Sequence, residues 1–259
     1  MAAPRPTRPA SPGPAVTARA APGLDPDLTA FRFGRRMLYL RKALAPLSAA
    51  IAAALGELAA SRSAGEGNRQ SAYRIAIPGA PEMVARASRR GGLMRMLLTD
   101  LYIGTNPRQL RELNLTLQAR QRGIPVADPM GAMVEWVAPF LYRGFFVTRA
   151  IAGMTLWEFL RTDDDLRVRD HVLEQARLAI RTMQARGLFH ADLNLHNLFV
   201  TKIGESFAVI VLDLDKAQLF NPPLPPPLCR RNSNRLLRSA RKLDPAGRYL
   251  DAHALSILG

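Results

Sequence analysis

The chain has 259 residues, and 36 Lys and Arg against 21 Asp and Glu leave a net charge of +15; 48% of it is hydrophobic, with one cysteine and 20 prolines. That length is ample to bury the core of one ordinary domain or two small ones. The single cysteine, Cys229, excludes an internal disulfide framework and a cysteine-cluster zinc site, and it fits a reducing compartment. The charge calls for an anionic partner, which could be nucleic acid, a membrane surface or a phosphorylated substrate.

Residues 1–30 hold seven of the prolines and lack apolar periodicity, so they are predicted to form a disordered tail. Residues 31–62 are predicted to form a basic, alanine-rich helical segment, opening with Arg32, Arg35, Arg36, Arg41 and Lys42. Its apolar run, residues 43–56, is broken by Pro46 and is too short to span a bilayer. It reads either as a helix packed on the domain or as one lying in a membrane interface with Phe31, Phe33, Leu38 and Tyr39 inserted. The long proline-rich leader speaks against a signal peptide.

Residues 63–150 are predicted to be rich in strands. A glycine-containing turn, Gly65-Glu66-Gly67-Asn68, precedes the alternating Tyr73, Ile75 and Ile77, and residues 82–87 form a second extended stretch. Asn106-Pro107 reads as a helix start, with Gln109 helping to satisfy the open amides and Leu110, Leu113 and Leu117 as the apolar face. Gly123, as a left-handed cap, and Pro125 stop that helix. Two further strands follow at 133–137 and 144–148. Residues 151–259 turn helical, with a short helix at 156–160 and a longer one at 165–186. Leu173, Ala176, Ile180 and Met183 line one face of the longer helix, and Gly187 follows its end. Strands first and helices second predict an α+β protein of two lobes rather than a doubly wound parallel sheet.

The densest polar segment is His190-Ala191-Asp192-Leu193-Asn194-Leu195-His196-Asn197, followed after two apolar runs by Leu212-Asp213-Leu214-Asp215. Residues 198–201 and 207–212 read as a hairpin that returns Asp213 to the side of Asn197. A carboxylate and an amide oxygen at one strand end make a hard-oxygen site suited to magnesium, which completes its shell with phosphate and water. Asp192, outside that pair, can accept a proton from an incoming hydroxyl. Those are the parts that phosphoryl transfer from a nucleotide needs.

The HxD…N and D-x-D arrangement resembles the catalytic and metal-binding loops of the protein-kinase-like fold. The segments Arg89-Arg90-Gly91-Gly92-Leu93, Arg111-Glu112, Arg122-Gly123-Ile124-Pro125-Val126, HADLNLHN, VLDLDKAQL and Asn234-Arg235-Leu236-Leu237-Arg238-Ser239 resemble, in that order, the bacterial lipopolysaccharide core kinases, and most of all the 3-deoxy-D-manno-octulosonic acid (Kdo) kinases. The resemblance implies a small strand-rich N-lobe at 63–150, a helical C-lobe at 151–259, and ATP and Mg2+ as cofactors. It makes Asp192 the catalytic base, Asn197 and Asp213 the metal ligands, and His190 and Asp215 their supports. It places Glu112 on the N-lobe helix, paired with a strand cation that aligns with Arg86, an arginine where kinases generally carry lysine. Gly65 and Gly67 align with the phosphate-covering turn, although a full G-x-G-x-x-G is missing. The acceptor implied is an anionic glycolipid, a lipid A precursor carrying Kdo, met at the cytoplasmic face of the inner membrane.

Residues 230–242 hold six cations and no acid. Arg230, Arg231, Arg235 and Arg238 offer a surface for anionic headgroups or substrate phosphates, with a solvated basic helix as the plainer reading. Nucleic acid is disfavoured, because no stacking aromatics or DNA-reading element accompany these charges. Cys229 reads as inert, and Trp136 and Trp157 as core. Other acceptors for the same fold stay open: a core heptose, an aminoglycoside, or the partner of the atypical kinase linked to tRNA modification. A nucleotide-binding scaffold without activity is the reading from another class.

Overall fold

Residues 28–41, expected to be divided between a disordered tail and a helical segment, form a β-hairpin in the computed structural model, which describes residues 16–18, 25–63, 72–87 and 101–259. β1 (Val16–Ala18) pairs with β2 (Leu28–Phe33), which pairs with β3 (Arg36–Arg41). A strand therefore also lies inside the expected tail. Phe31, Phe33, Leu38 and Leu40 supply the aromatic and apolar surface that a sheet can bury, and Gly34, at φ +59°, takes the left-handed turn between the strands. The density of arginines along this stretch hid that pattern.

Two compact units divide the chain: Met1–Pro107 with Met130–Val147, and Arg108–Pro129 with Thr148–Gly259. The first continues through a 3-10 turn at Lys42–Leu47, α1 (Ser48–Ser63), β4 (Ala72–Ile75), β5 (Met83–Ala87), β6 (Tyr102–Ile103), β7 (Pro129–Ala138) and β8 (Leu141–Arg149). Its sheet runs in the order β1-β2-β3-β7-β8-β5-β4, with β6 added to β8. By length and composition Lys42–Arg62 could cross a membrane. Here, however, Leu44, Ile51, Ala52, Leu55 and Ala59 pack into a core with Leu38, Leu40, Met83 and Phe145. Of the four residues considered for insertion into lipid, Phe31, Leu38 and Tyr39 are buried and Phe33 is half-buried against the same core. Gly131 permits β7 to approach β3, since a Cβ there would lie 2.3 Å from the Tyr39 carbonyl oxygen.

The second unit opens with α2 (Arg108–Gln121), a helix expected to belong to the N-lobe that instead groups with this unit. Leu113 and Leu117 are buried as expected, but Leu110 is half-exposed, and Gln109 is fully buried instead of serving the open end of the helix. Gly123, at φ +73°, caps α2 as predicted, with Ile124 N–H donating to Ala119 O at 3.0 Å. Next come β9 (Met154–Thr155), α3 (Leu156–Thr162) and α4 (Leu166–Ala185). Thr155 and Glu158 form a capping box on α3, and Asp165 caps α4. Leu173, Ala176, Ile180 and Met183 all face the core. β10 (Leu188–Phe189) pairs with β13 (Gln218–Leu219), and β11 (Leu198–Ile203) with β12 (Ser206–Val211). α5 (Pro226–Leu243) and α6 (Ala252–Leu258) complete a core centred on Leu156, Leu160, Leu173, Met183, Leu198 and Leu236. The α+β class and the order of strand-rich before helix-rich sequence are as predicted.

Candidate active site

Alternation along residues 192–197 builds the first half of the site. Leu193 and Leu195 are fully buried and anchor the loop in the core, while Asp192 and His196 stay exposed. Asn194 donates through Nδ2 to Asp192 O at 2.8 Å and accepts His196 N–H at 2.9 Å. Asn197 donates its own Nδ2 to Asp192 O at 2.9 Å, which commits the amide nitrogen to the loop and leaves Oδ1 as an oxygen donor.

His190 is 1% exposed and uses both ring nitrogens. Asp192 N–H donates to Nδ1 at 3.1 Å, so the proton sits on Nε2, which donates to Leu212 O at 2.9 Å. Desolvation by burial pushes its pKa below the ordinary histidine value, although the Leu212 hydrogen bond and the charges of Asp213 and Asp192 oppose that. A neutral imidazole with both nitrogens engaged is a brace between the two loops.

The second half of the site lies at the end of β12. The register Leu198↔Val211, extended by Leu212 N–H donating to Asn197 O at 2.8 Å, sets Asn197 beside the start of the Asp213 turn. Asp213 is left-handed, at φ 61° and ψ 65°. For a residue other than glycine that conformation costs about 1 kcal/mol or more and persists only where its neighbours enforce it. Leu212 is tied to Asn197, and Leu214 is 2% exposed in the core. Asp215 is gripped by Arg108 at the start of α2, Nε to Oδ1 at 2.9 Å and Nη2 to Oδ2. Asp215 is thus neither solvated nor loosely placed; its side chain is 13% exposed and carries a forked ion pair.

The far end of α2 is tied to the same strand. Past the Gly123 cap, Pro125 O accepts Val211 N–H at 2.8 Å and Val126 bridges Val211. One helix therefore braces the turn that carries Asp213 from both sides. Sequence reasoning missed Arg108, whose signal was its place at a helix start 107 residues from the acid it meets.

The remaining predicted residues fall as follows. Glu112 lies on α2 and is 3% exposed, with Thr116 Oγ1 donating to its carbonyl at 2.7 Å. Arg86 lies on β5 of the first unit, its guanidinium carbon 5.8 Å from the centre of the Phe146 ring. Gly65 and Gly67, like the Arg89 to Leu93 segment, lie outside the described residues. Arg230, Arg231, Arg235 and Arg238 are exposed on α5, whose buried stripe is Asn232, Leu236 and Ala240. Arg231 stacks on Phe189, next to His190, at 5.4 Å.

Chemically, Asn197 Oδ1 and the Asp213 carboxylate are hard oxygen donors from two adjoining turns, a set that fits Mg2+ and no soft metal. Among the described residues no three His, Cys, Asp or Glu side chains converge on a common metal position. The Asp192 carboxylate, exposed beside Asn197, is free of the loop's internal bonds, which use its backbone.

Residues 59–251 match the model of the lipopolysaccharide kinase (Kdo/WaaP) family. Among curated proteins the chain is 31% identical over 131 residues to a 3-deoxy-D-manno-octulosonic acid kinase of Actinobacillus succinogenes, covering 49% of this chain and 53% of that protein, about half its length. It is 29% identical over 181 residues to the protein of the same name from Xylella fastidiosa strain 9a5c, covering 69% of each. The protein of that name from Stenotrophomonas maltophilia is 31% identical over 188 residues, with 70% of each covered. A solved structure of WaaP in complex with acyl carrier protein, 16% identical, aligns over 72% of this chain and 81% of that one with a TM-score of 0.42. On the match of the family model over most of its length, the chain belongs to the lipopolysaccharide kinase (Kdo/WaaP) family.

Proposed function

We propose that the chain is an ATP- and Mg2+-dependent kinase that phosphorylates a hydroxyl of Kdo on a lipid A precursor, at the cytoplasmic face of the inner membrane. The observation that carries this reading is the loop pair in which Leu212, the neighbour of Asp213, donates to Asn197 O and Asn197 in turn donates to the Asp192 carbonyl. The names of the relatives support Kdo as the acceptor sugar.

In this reading Asp192 orients the sugar hydroxyl and takes its proton. The hydroxyl oxygen forms the new bond to the γ-phosphorus as the bond to the bridging oxygen breaks, and ADP leaves. Asn197 Oδ1 and the Asp213 carboxylate would hold Mg2+, which supplies charge neutralisation on the phosphates. His190 holds the two loops in register. Nucleotide positioning is assigned to Arg86 and Glu112, with arginine giving a planar fork where a compact ammonium is usual. The exposed row on α5, Arg230, Arg231, Arg235 and Arg238, suits the phosphates of an anionic glycolipid.

The test is purified protein with radiolabelled ATP and a panel of Kdo-lipid A, heptosylated core, tRNA-modification partners and an aminoglycoside. Label on Kdo-lipid A alone is the expected result. Label on a different member reassigns the acceptor, and no transfer with ATP bound replaces the enzyme by a nucleotide-binding scaffold.

A further inference from the structure

At one end of the first unit's sheet, two turns and β6 bring apolar side chains into the open. Near the end of β7 stands Val137, 38% exposed, and after Ala138 the chain turns through Pro139-Phe140 into β8. Phe140 is 61% exposed. Ile103, 64% exposed, lies beside it, because Ile103 pairs with Leu141 and Gly104 N–H donates to Phe140 O at 2.8 Å. Behind this tip, Tyr102 stacks on Tyr142, with centroids 5.7 Å apart, and Trp136 leans on Tyr142 at 5.4 Å.

Phe140 stands at φ 63°, a left-handed position that a turn after proline normally gives to glycine or asparagine. A bulky residue there carries backbone strain and exposes a whole aromatic face, so the fold alone does not account for it. The surroundings are cationic. Arg32, near the end of β2, and Arg35, in the turn that follows, are exposed at the same end of the sheet, where Arg35 O accepts Trp136 N–H at 3.1 Å. The nearby acid, Glu135, is neutralised by Arg36 and Arg143. An exposed apolar tip with aromatics behind it and exposed arginines at the same sheet end matches the boundary between acyl chains and anionic headgroups.

We propose that this tip, Phe140 with Val137 and Ile103, inserts into the headgroup region of an anionic bilayer while Arg32 and Arg35 meet the lipid phosphates. The tip belongs to the first unit and the basic face of α5 to the second. It rests on the proposed function only in its purpose, which is to hold the enzyme where a lipid-anchored acceptor lies; the binding itself needs neither nucleotide nor acceptor.

The test uses the full chain and vesicles of equimolar phosphatidylglycerol and phosphatidylethanolamine, with phosphatidylcholine vesicles as the uncharged reference. Phe140→Gly removes the ring and suits the left-handed turn, so vesicle affinity should fall about tenfold while the thermal midpoint holds or rises. Phe140→Asn, polar and tolerant of the same φ, should do likewise. The Arg32→Gln/Arg35→Gln pair should weaken binding to anionic vesicles and flatten its dependence on salt. Wild-type affinity in both Phe140 variants overturns the proposal. So does a shift from dimer to monomer in sedimentation with vesicle binding unchanged, which would make the tip a contact between copies. Phe140→Gly should phosphorylate a soluble short-chain Kdo acceptor at the wild-type rate. If the wild type phosphorylates no acceptor, the kinase reading fails and the vesicle result stands by itself.

Discussion

Arg108 and Asp215, 107 residues apart, form a two-point ion pair in which Nε meets Oδ1 at 2.9 Å and Nη2 meets Oδ2. The pair fixes the residue two places after Asp213 and helps keep Asp213 in its left-handed conformation. Arg108→Lys retains the charge and loses the fork, so kcat is expected to fall about tenfold and the Mg2+ requirement to rise, with little change in the thermal midpoint. Arg108→Ala is expected to unfold more easily, because it strands a largely buried carboxylate. Steady-state kinetics across a Mg2+ series checks this; a Lys variant with wild-type Mg2+ dependence would remove Arg108 from any positioning role.

Asp192→Asn keeps the shape and removes the proton acceptor. Turnover should drop at least about a hundredfold with circular dichroism and melting unchanged. Near-normal turnover would sink the base assignment.

At Asp213 two substitutions separate chemistry from strain. Asp213→Ala should lose Mg2+-dependent nucleotide binding in calorimetry, and unchanged binding would contradict the ligand role. Asp213→Gly should be equally inactive and yet about 1 kcal/mol more stable than the Ala variant in urea titration, because glycine adopts φ 61° without penalty.

Gly187, between α4 and β10, has φ +82°, and a Cβ there would stand 2.5 Å from Phe220 O. Its carbonyl accepts Phe220 N–H at 2.8 Å, and Arg122 donates to Phe220 O at 2.7 Å, locking the approach to His190. Gly187→Ala combines left-handed strain with a backbone clash and should cost about 2–4 kcal/mol in chemical denaturation.

Asp244 ends α5 and accepts backbone N–H groups from Arg248, Tyr249 and Leu250 at 3.0, 2.7 and 2.8 Å. Burial tends to raise its pKa, but these donors and the charge of Arg169 outweigh that and hold it below the ordinary aspartate value. The unfolded chain, with its aspartate near pH ~3.9, therefore takes up the proton first as the pH falls. The stabilisation is complete above that value and is lost as pH falls through the lower folded one. Asp244→Ala should lower stability at pH 7 by about 1–3 kcal/mol and flatten the acid limb of a stability-against-pH curve. An unaltered acid limb would show that the carboxylate does not bear on folding.

Local rules carried far in the helical unit. The stripe of Leu173, Ala176, Ile180 and Met183, the glycine caps at 123 and 187, and the hairpin from Asn197 to Asp213 all depend on near neighbours, and each stands where periodicity placed it. The hairpin at residues 28–41 was illegible, because its alternation was masked by arginines that stay exposed or half-exposed on the strands. The buried Gln109 and the membership of α2 were equally hidden, since helix periodicity says which residues share a face and not what covers it.

The sequence alone determined which groups are on offer: the carboxylate proposed as base, the amide and carboxylate proposed for a hard cation, and positive charge at both flanks, all written in residue types at short spacing. Only tertiary structure decided how those groups are held. The neutral tautomer of His190 depends on Leu212, the left-handed Asp213 on Arg108, and the exposed Phe140 on a turn beside β6. Each of these rests on a contact between residues distant in the chain or on a backbone angle, and no local pattern of residue types encodes either.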